Sequence, residues 1–202
     1  MVFTSPRAVF VALRDQSNEA IVARQEPILA MILIAGVASV LQTSVVGRLL
    51  DDPVLDGAWI FVWAVIGGVV YGIASYWIGG AVLYLGTRGA TVKHGHKPTF
   101  IQARHVLGYA AAPIALSLLI WPFRLAVYGS DIFRTGGADE GLGPKVLDGI
   151  GFAFVLWAFA LLLYGLRTTY RWSWPRAVGT MLLAVLALLC VVVVFGLGRF
   201  LG

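Results

Sequence analysis

The sequence predicts an all-α fold, a polytopic membrane protein with a bundle of five transmembrane helices and a short N-terminal amphipathic helix. Three observations carry that expectation. Of 202 residues, 59% are hydrophobic and only 12% charged, against about 25% charged in an ordinary soluble domain. Four long apolar runs, and a fifth broken by prolines, stand between short charged connections. Those connections are unequal in Lys and Arg, the asymmetry that orients multi-pass chains. An apolar helix of about 20 residues crosses the hydrocarbon layer with its backbone bonded internally, so lipid absorbs apolar sequence that a soluble core could not.

The chain divides into a cytoplasmic segment, residues 1–26, and a membrane domain, residues 27–202. Within the first, Thr4-Ser5-Pro6 reads as a helix start, with Ser5 as N-cap and Pro6 at N1. Val9, Phe10 and Leu13 follow, which predicts a short helix lying on the cytoplasmic leaflet; a disordered tail is the alternative. A cleavable signal peptide is not expected. The first strongly apolar run begins only near Pro27, after Arg14, Asp15, Glu19, Arg24 and Glu26.

The first span runs from Pro27, in the first turn, to about Val46, and ends at Gly47, Arg48 and Asp51-Asp52-Pro53. The second, Ala58 to about Leu85, has 28 residues, or about 42 Å of helix. It must tilt, kink near Gly67-Gly68 or extend beyond the membrane. The third, His105 to Tyr128, carries Pro113 and Pro122, whose freed carbonyls a membrane bundle can satisfy. The fourth and fifth are Val146 to Leu166 and Ala177 to Leu197. Trp59, Trp121, Trp172 and Trp174 fall at or near span ends, where indole rings favour the interface.

Five crossings put the termini on opposite sides. Ten Lys and Arg lie in the N-terminal segment and the second and fourth connections, and five on the other side. The N-terminus is therefore expected in the cytoplasm and the C-terminus outside. The net charge of +5 sits mostly in these connections, not in the stripe that nucleic-acid binding needs, so no nucleic acid is expected. The lone Cys190 excludes an intrachain disulfide.

Read in order, several segments match a known layout: Ser5-Pro6-Arg7-Ala8-Val9-Phe10, Glu26-Pro27 opening a span, Gly79-Gly80 late in the second span, and His105-Val106-Leu107-Gly108-Tyr109-Ala110-Ala111-Ala112-Pro113. On these the chain resembles the Yip superfamily of Rab-interacting membrane proteins over nearly its whole length. The most specific part is Gly-Tyr-x-x-x-Pro, here Gly108, Tyr109 and Pro113. The resemblance implies a five-span fold with a cytoplasmic N-terminus and, for eukaryotic members, small-GTPase binding and vesicle traffic. The short N-terminal segment lacks their longer extension and acidic-aromatic Gly-Pro motif. The chain looks more like a bacterial relative, set in the inner or plasma membrane.

Gly68 and Gly72 form a Gly-x-x-x-Gly pair, with Gly67, Gly79, Gly80 and Gly86 nearby. This small-residue face admits a second helix closely, either from another copy or from within the bundle. Tyr109 and Pro113 share a helical face, as a structural kink or as the lining of a small-ligand site. Arg124 and Asp148 lie near the outer edges of helices joined by one loop and can pair across it; Arg124 can instead snorkel to lipid phosphates. His94 and His96, with His105 beyond, lie without a cysteine or carboxylate in their connection. A solvated basic loop with affinity for anionic headgroups is expected there, not a metal site.

No His-Glu-x-x-His, Gly-x-Ser-x-Gly or phosphate-binding glycine loop occurs. Ser117 stands twelve residues past His105, about 18 Å along a helix, so a serine dyad is not expected. The chain reads as a non-enzymatic bundle with no cofactor and no metal. Its partners are the lipid bilayer and another membrane protein or a second copy. A small-solute transporter or channel using Tyr109, Pro113, Arg124 or Asp148 is the alternative.

Overall fold

Pro6 opens the first helix, α1 (Pro6–Ala12), with Ser5 as its N-cap. The cap works through the backbone, since the Ser5 carbonyl accepts from the Ala8 amide at 3.1 Å while its side chain makes no capping bond. Phe10 and Leu13 are fully buried, so protein covers the apolar side of this helix. The computed structural model describes residues 2–43, 45–90, 98–136 and 141–201, with side chains through 189 except at 187.

The first long helix, α2 (Asn18–Leu41), starts earlier than the expected Pro27, which lies inside it. Ser17 explains the difference. Its hydroxyl accepts from the Ala20 amide at 3.3 Å and its carbonyl from Ile21 at 3.0 Å, satisfying amides that a helix start otherwise leaves free. A 3-10 turn, Val46–Asp51, leads to α3 (Gly57–Val62), capped by the Asp56 carboxylate on the Ala58 amide at 3.0 Å. A π-helical stretch, Trp63–Gly67, joins α3 to α4 (Gly68–Gly89). The long second run is thus a 33-residue helical stretch, widened by a π segment ending at Gly67.

The proline-bearing run forms α5 (Phe100–Ala110), α6 (Ala112–Ser117), α7 (Ile120–Tyr128) and a 3-10 turn, Gly129–Phe133. It begins ahead of His105 because the Thr99 hydroxyl accepts from the Gln102 amide at 3.1 Å. The breaks follow the prolines. Pro122 has no amide for the Leu118 carbonyl, which accepts from Trp121 instead at 3.1 Å. The last two helices, α8 (Leu142–Tyr170) and α9 (Trp174–Leu201), exceed the expected spans at both ends.

Four helical stretches among the described residues are long and apolar enough to cross a membrane: Asn18–Leu41, Gly57–Gly89, Phe100–Phe133 and Leu142–Tyr170; Trp174–Leu186 is a shorter apolar stretch. No strand occurs among the described residues. The chain is an all-α polytopic membrane bundle.

Contacts divide it into two compact units, one of Met1–Gln25, Tyr76–Tyr109 and Leu161–Gly202, the other of Glu26–Ser75 and Ala110–Ala160. In the first, the Phe10 ring fills a notch at Gly165, where an added Cβ would lie 2.6 Å from Phe10 Cε1, and α4 approaches α9 at Gly86, where a Cβ would lie 2.7 Å from the Thr180 carbonyl. In the second, Val46, Leu49, Ile60, Trp121 and Phe133 form an apolar cluster. The Thr135 hydroxyl and amide both donate to the Asp51 carboxylate beside it, holding that carboxyl below its ordinary range. Of the four tryptophans expected at interfaces, Trp59 and Trp174 are exposed. Trp121 and Trp172 are buried, stacked on Phe133 and Tyr170 at 5.9 and 4.8 Å.

Candidate functional site

Four of the glycines of α4 form two pairs. Gly68 and Gly72 face α2, where an added Cβ would lie 2.5 Å from Val37 Cα and 2.6 Å from the Ile32 carbonyl oxygen respectively. Gly36 completes the contact from the other side: a Cβ there would strike the Gly68 carbonyl and lie 2.8 Å from Gly72 Cα. This is backbone against backbone, the close approach that small residues permit in membranes. The face is filled by a helix of the same chain.

Gly79 and Gly80 face α5. A Cβ at Gly79 would lie 2.9 Å from Leu107 Cδ2, and one at Gly80 would overlap Cγ of Arg104 and lie 3.2 Å from its Cδ. The notch at Gly80 therefore holds an arginine stem. Arg104 is only 7% exposed, and its guanidinium lies 3.9 Å from the Trp77 ring centroid, 4.7 Å from Phe100 and 5.1 Å from Tyr76. Its Nε and Nη1 are buried without a hydrogen-bond partner. Aromatic faces stabilise a desolvated cation by about 2 kcal/mol, which offsets part of the cost of burying it. Beside it, His105 is fully buried with Nε2 3.4 Å from Gln25 Oε1, and the Gln102 amide donates to the Leu13 carbonyl at 2.9 Å.

Gly108 is buried and Tyr109 half-buried near the end of α5, while Pro113 is buried in α6 just past the break at Ala111. His94 and His96 lie outside the described residues.

The second unit contains a cleft of about 500 Å³ whose polar lining includes Gln42, Ser117, Arg124 and Asp148. Arg124 donates to the Asp148 carboxylate and lies over Trp121 at 5.3 Å. The Gln42 amide donates to the Ser117 hydroxyl at 3.4 Å, and that hydroxyl donates to the Ile114 carbonyl at 2.7 Å. Tyr109 and Pro113 are not part of this lining. The cleft is large enough for a small polar solute.

With this geometry in hand, comparison with known proteins is decisive on one point. The Yip1 domain matches residues 1–196. The chain belongs to the Yip1 domain family. No curated protein and no solved structure matches it. The match takes in both glycine pairs, the Arg104 cage and the cleft of this Yip1 chain.

Two features of the Yip1 domain escaped sequence reasoning. Gly36 was one small residue in an apolar run, and its signal was only that a Gly-x-x-x-Gly pair needs a small residue opposite it. Arg104 reads as a flanking charge until Trp77, Tyr76 and Phe100 are seen around it. The Arg124 and Asp148 side chains are 14% and 67% exposed, so solvent screens their pair. Asp148→Asn is expected to shift stability by less than about 1 kcal/mol, read by thermal unfolding in detergent. A loss of several times that would mean the pair is shielded from water in the membrane.

Proposed function

We propose that this Yip1-family protein acts without catalysis, organising the bilayer or other membrane proteins through contacts along its spans. The observation that carries the reading is the Yip1 match over residues 1–196 in a chain whose helices leave large apolar side chains uncovered. Phe61, Val70 and Phe152 are 70%, 63% and 62% exposed. In a membrane such surfaces are covered by lipid or by another protein, a second copy included.

The reading sets the N-terminus in the cytoplasm and the C-terminus outside, in a bacterial inner or plasma membrane. The excess of Lys and Arg in the N-terminal segment and the second and fourth connections supports that orientation. Photocrosslinkers at Phe61 and Phe152 in native membranes are expected to capture a second copy or another membrane protein beside lipid, identified by mass spectrometry. Capture of lipid alone at every exposed span position would count against the reading.

The polar cleft around Arg124 and Asp148 favours a second reading, a small-solute transporter. Its mark would be a flux in proteoliposomes that Asp148→Asn lowers. Equal leak from empty and loaded vesicles would remove it.

A further inference from the structure

Four arginines share one cavity in the unit that contains the N-terminal segment and the α8–α9 connection. Arg7 on α1, Arg14 just past it, and Arg167 and Arg171 at the end of α8 line a cavity of about 520 Å³, walled in part by Tyr164 and Trp172. No carboxylate among the described residues lines it. Asp15, the acid next to Arg14, instead accepts from the Ser17 amide at 2.9 Å.

Burial, together with the like charges of Arg171 and Arg7, lowers the pKa of Arg14 from its ordinary value. The end of α8 supplies some compensation, because a helix C-terminus carries about half a negative elementary charge. Arg14 takes it up: its Nε donates to the Thr168 carbonyl at 3.2 Å, and its Nη2 donates to the same oxygen. Half a charge cannot balance four, so roughly three and a half positive charges remain uncompensated. Arg7, Arg167 and Arg171 are exposed; Arg167 lies over Trp174 at 4.8 Å and would leave that ring to reach a ligand.

Backbone conformation supports the same conclusion. The Trp172 amide donates to the Arg167 carbonyl at 3.0 Å, and between them Arg171 adopts a left-handed φ of 56°. This is the helix-ending turn in which glycine is the usual residue, since no Cβ then opposes the left-handed backbone. Arg171 is the one non-glycine residue of positive φ among the described residues. A strained backbone that keeps a charged side chain in a cavity points to a use for that side chain.

We propose that Arg7, Arg14, Arg167 and Arg171 form a binding site for a phosphate-bearing anion, with Tyr164 and Trp172 flanking the group that carries the phosphate. Guanidinium forks match phosphate oxygens in geometry as well as charge. Arg14, anchored on the Thr168 carbonyl, is the fixed part of the site, and the exposed arginines close on the anion. The phosphate comes from an anionic lipid headgroup or from a free phosphate compound. The site goes beyond the partner-contact reading, and crosslinking at Phe61 or Phe152 does not depend on it, so the two fail separately.

The test uses the purified full-length protein in neutral detergent, titrated in parallel with phosphatidic acid, phosphatidylcholine and inorganic phosphate. Thermal unfolding and native mass spectrometry are the readouts. Phosphatidic acid is expected to raise the Tm saturably and to be retained as an adduct, and phosphatidylcholine to do neither. Stabilisation by inorganic phosphate as well would identify the phosphate group alone as sufficient; stabilisation by the lipid alone would identify the headgroup. Arg167→Gln and Arg171→Gly should each weaken binding roughly fivefold, as loss of one cation near an anionic group predicts. Arg171→Gly carries the sharper test, since it relieves the left-handed strain and should raise the ligand-free Tm while lowering affinity. Arg176→Gln, outside the cavity lining, should leave binding unchanged. No response to either phosphate probe, wild-type binding by both cavity variants, or equal weakening by Arg176→Gln would overturn the proposal.

Discussion

Gly36→Leu is expected to leave little folded protein in the membrane. An added Cβ at this position meets the Gly68 carbonyl and comes within 2.8 Å of Gly72 Cα. Both are backbone atoms, so no rotamer change can move them aside. Overpacking costs about 1–3 kcal/mol where side chains can yield; here α2 and α4 must separate, and the loss should reach about 3 kcal/mol or more. Gly36→Ala is expected to fail in the same direction, because the clash begins at Cβ. Gly149 in α8 provides the control, since a Cβ there meets nothing within 4 Å. Gly149→Ala should be neutral or stabilising by up to about 1 kcal/mol, the helix-propensity difference. Size-exclusion profile and Tm in detergent distinguish these outcomes. A Gly36→Leu protein with the wild-type Tm would mean that α2 and α4 are not in backbone contact.

Gly80→Ala is expected to change sign with its background. In the wild-type chain the new methyl overlaps the stem of Arg104 near Cγ, and the overpacking of about 1–3 kcal/mol exceeds the gain of about 1 kcal/mol in helix propensity. In an Arg104→Ala background the notch is empty, so only the propensity gain of about 1 kcal/mol remains. Arg104→Ala alone loses the stacking on Trp77, Phe100 and Tyr76, about 2 kcal/mol, but also sheds the cost of burying the cation, so its net effect should be smaller than about 2 kcal/mol. Arg104→Lys should not restore the stacking, because an ammonium cannot stack as a planar guanidinium does. The four proteins of this cycle, compared by thermal unfolding, should show a coupling of about 2 kcal/mol. Additive effects would mean that Gly80 and Arg104 do not touch.

Lipid matching acts on every residue of a span, which is why the apolar runs were legible in the sequence. Their ends were less so, because an end is decided by one cap. Pro27 reads as a helix start only while nothing upstream caps, and the Ser17 hydroxyl does so at 3.3 Å. Gly68 and Gly72 were visible as a packing face, yet the helix that fills it depends on Gly36, an unremarkable residue in an apolar run. Arg104 shows the limit most clearly. Its own neighbours in sequence read as a polar connection, and its burial depends on rings that α4 contributes at Tyr76 and Trp77. The arginine cavity was half legible. The charge count put Arg7, Arg14, Arg167 and Arg171 on one side of the membrane, but only the docking of Phe10 at Gly165 brings the first pair to the second.

The π-helical stretch Trp63–Gly67 allows one helical run to serve two settings. A π turn accommodates one residue more than an α turn, so the chain ahead of it is rotated by about 100° from a straight continuation of α4. That offset lets Gly68 and Gly72 stay against α2 while Ile60 points into the cluster of Val46, Leu49, Trp121 and Phe133. Loss of a single residue between 63 and 67 would restore a uniform helix and keep Ile60 on that cluster, because one residue fewer removes the same turn of about 100°; straightening the stretch with all its residues kept would swing Ile60 away, although every side chain making either contact would still be present. The stretch acts as a phase adjuster, and a one-residue gap at this point in a related chain would signal a straight helix with the same rotational setting on either side.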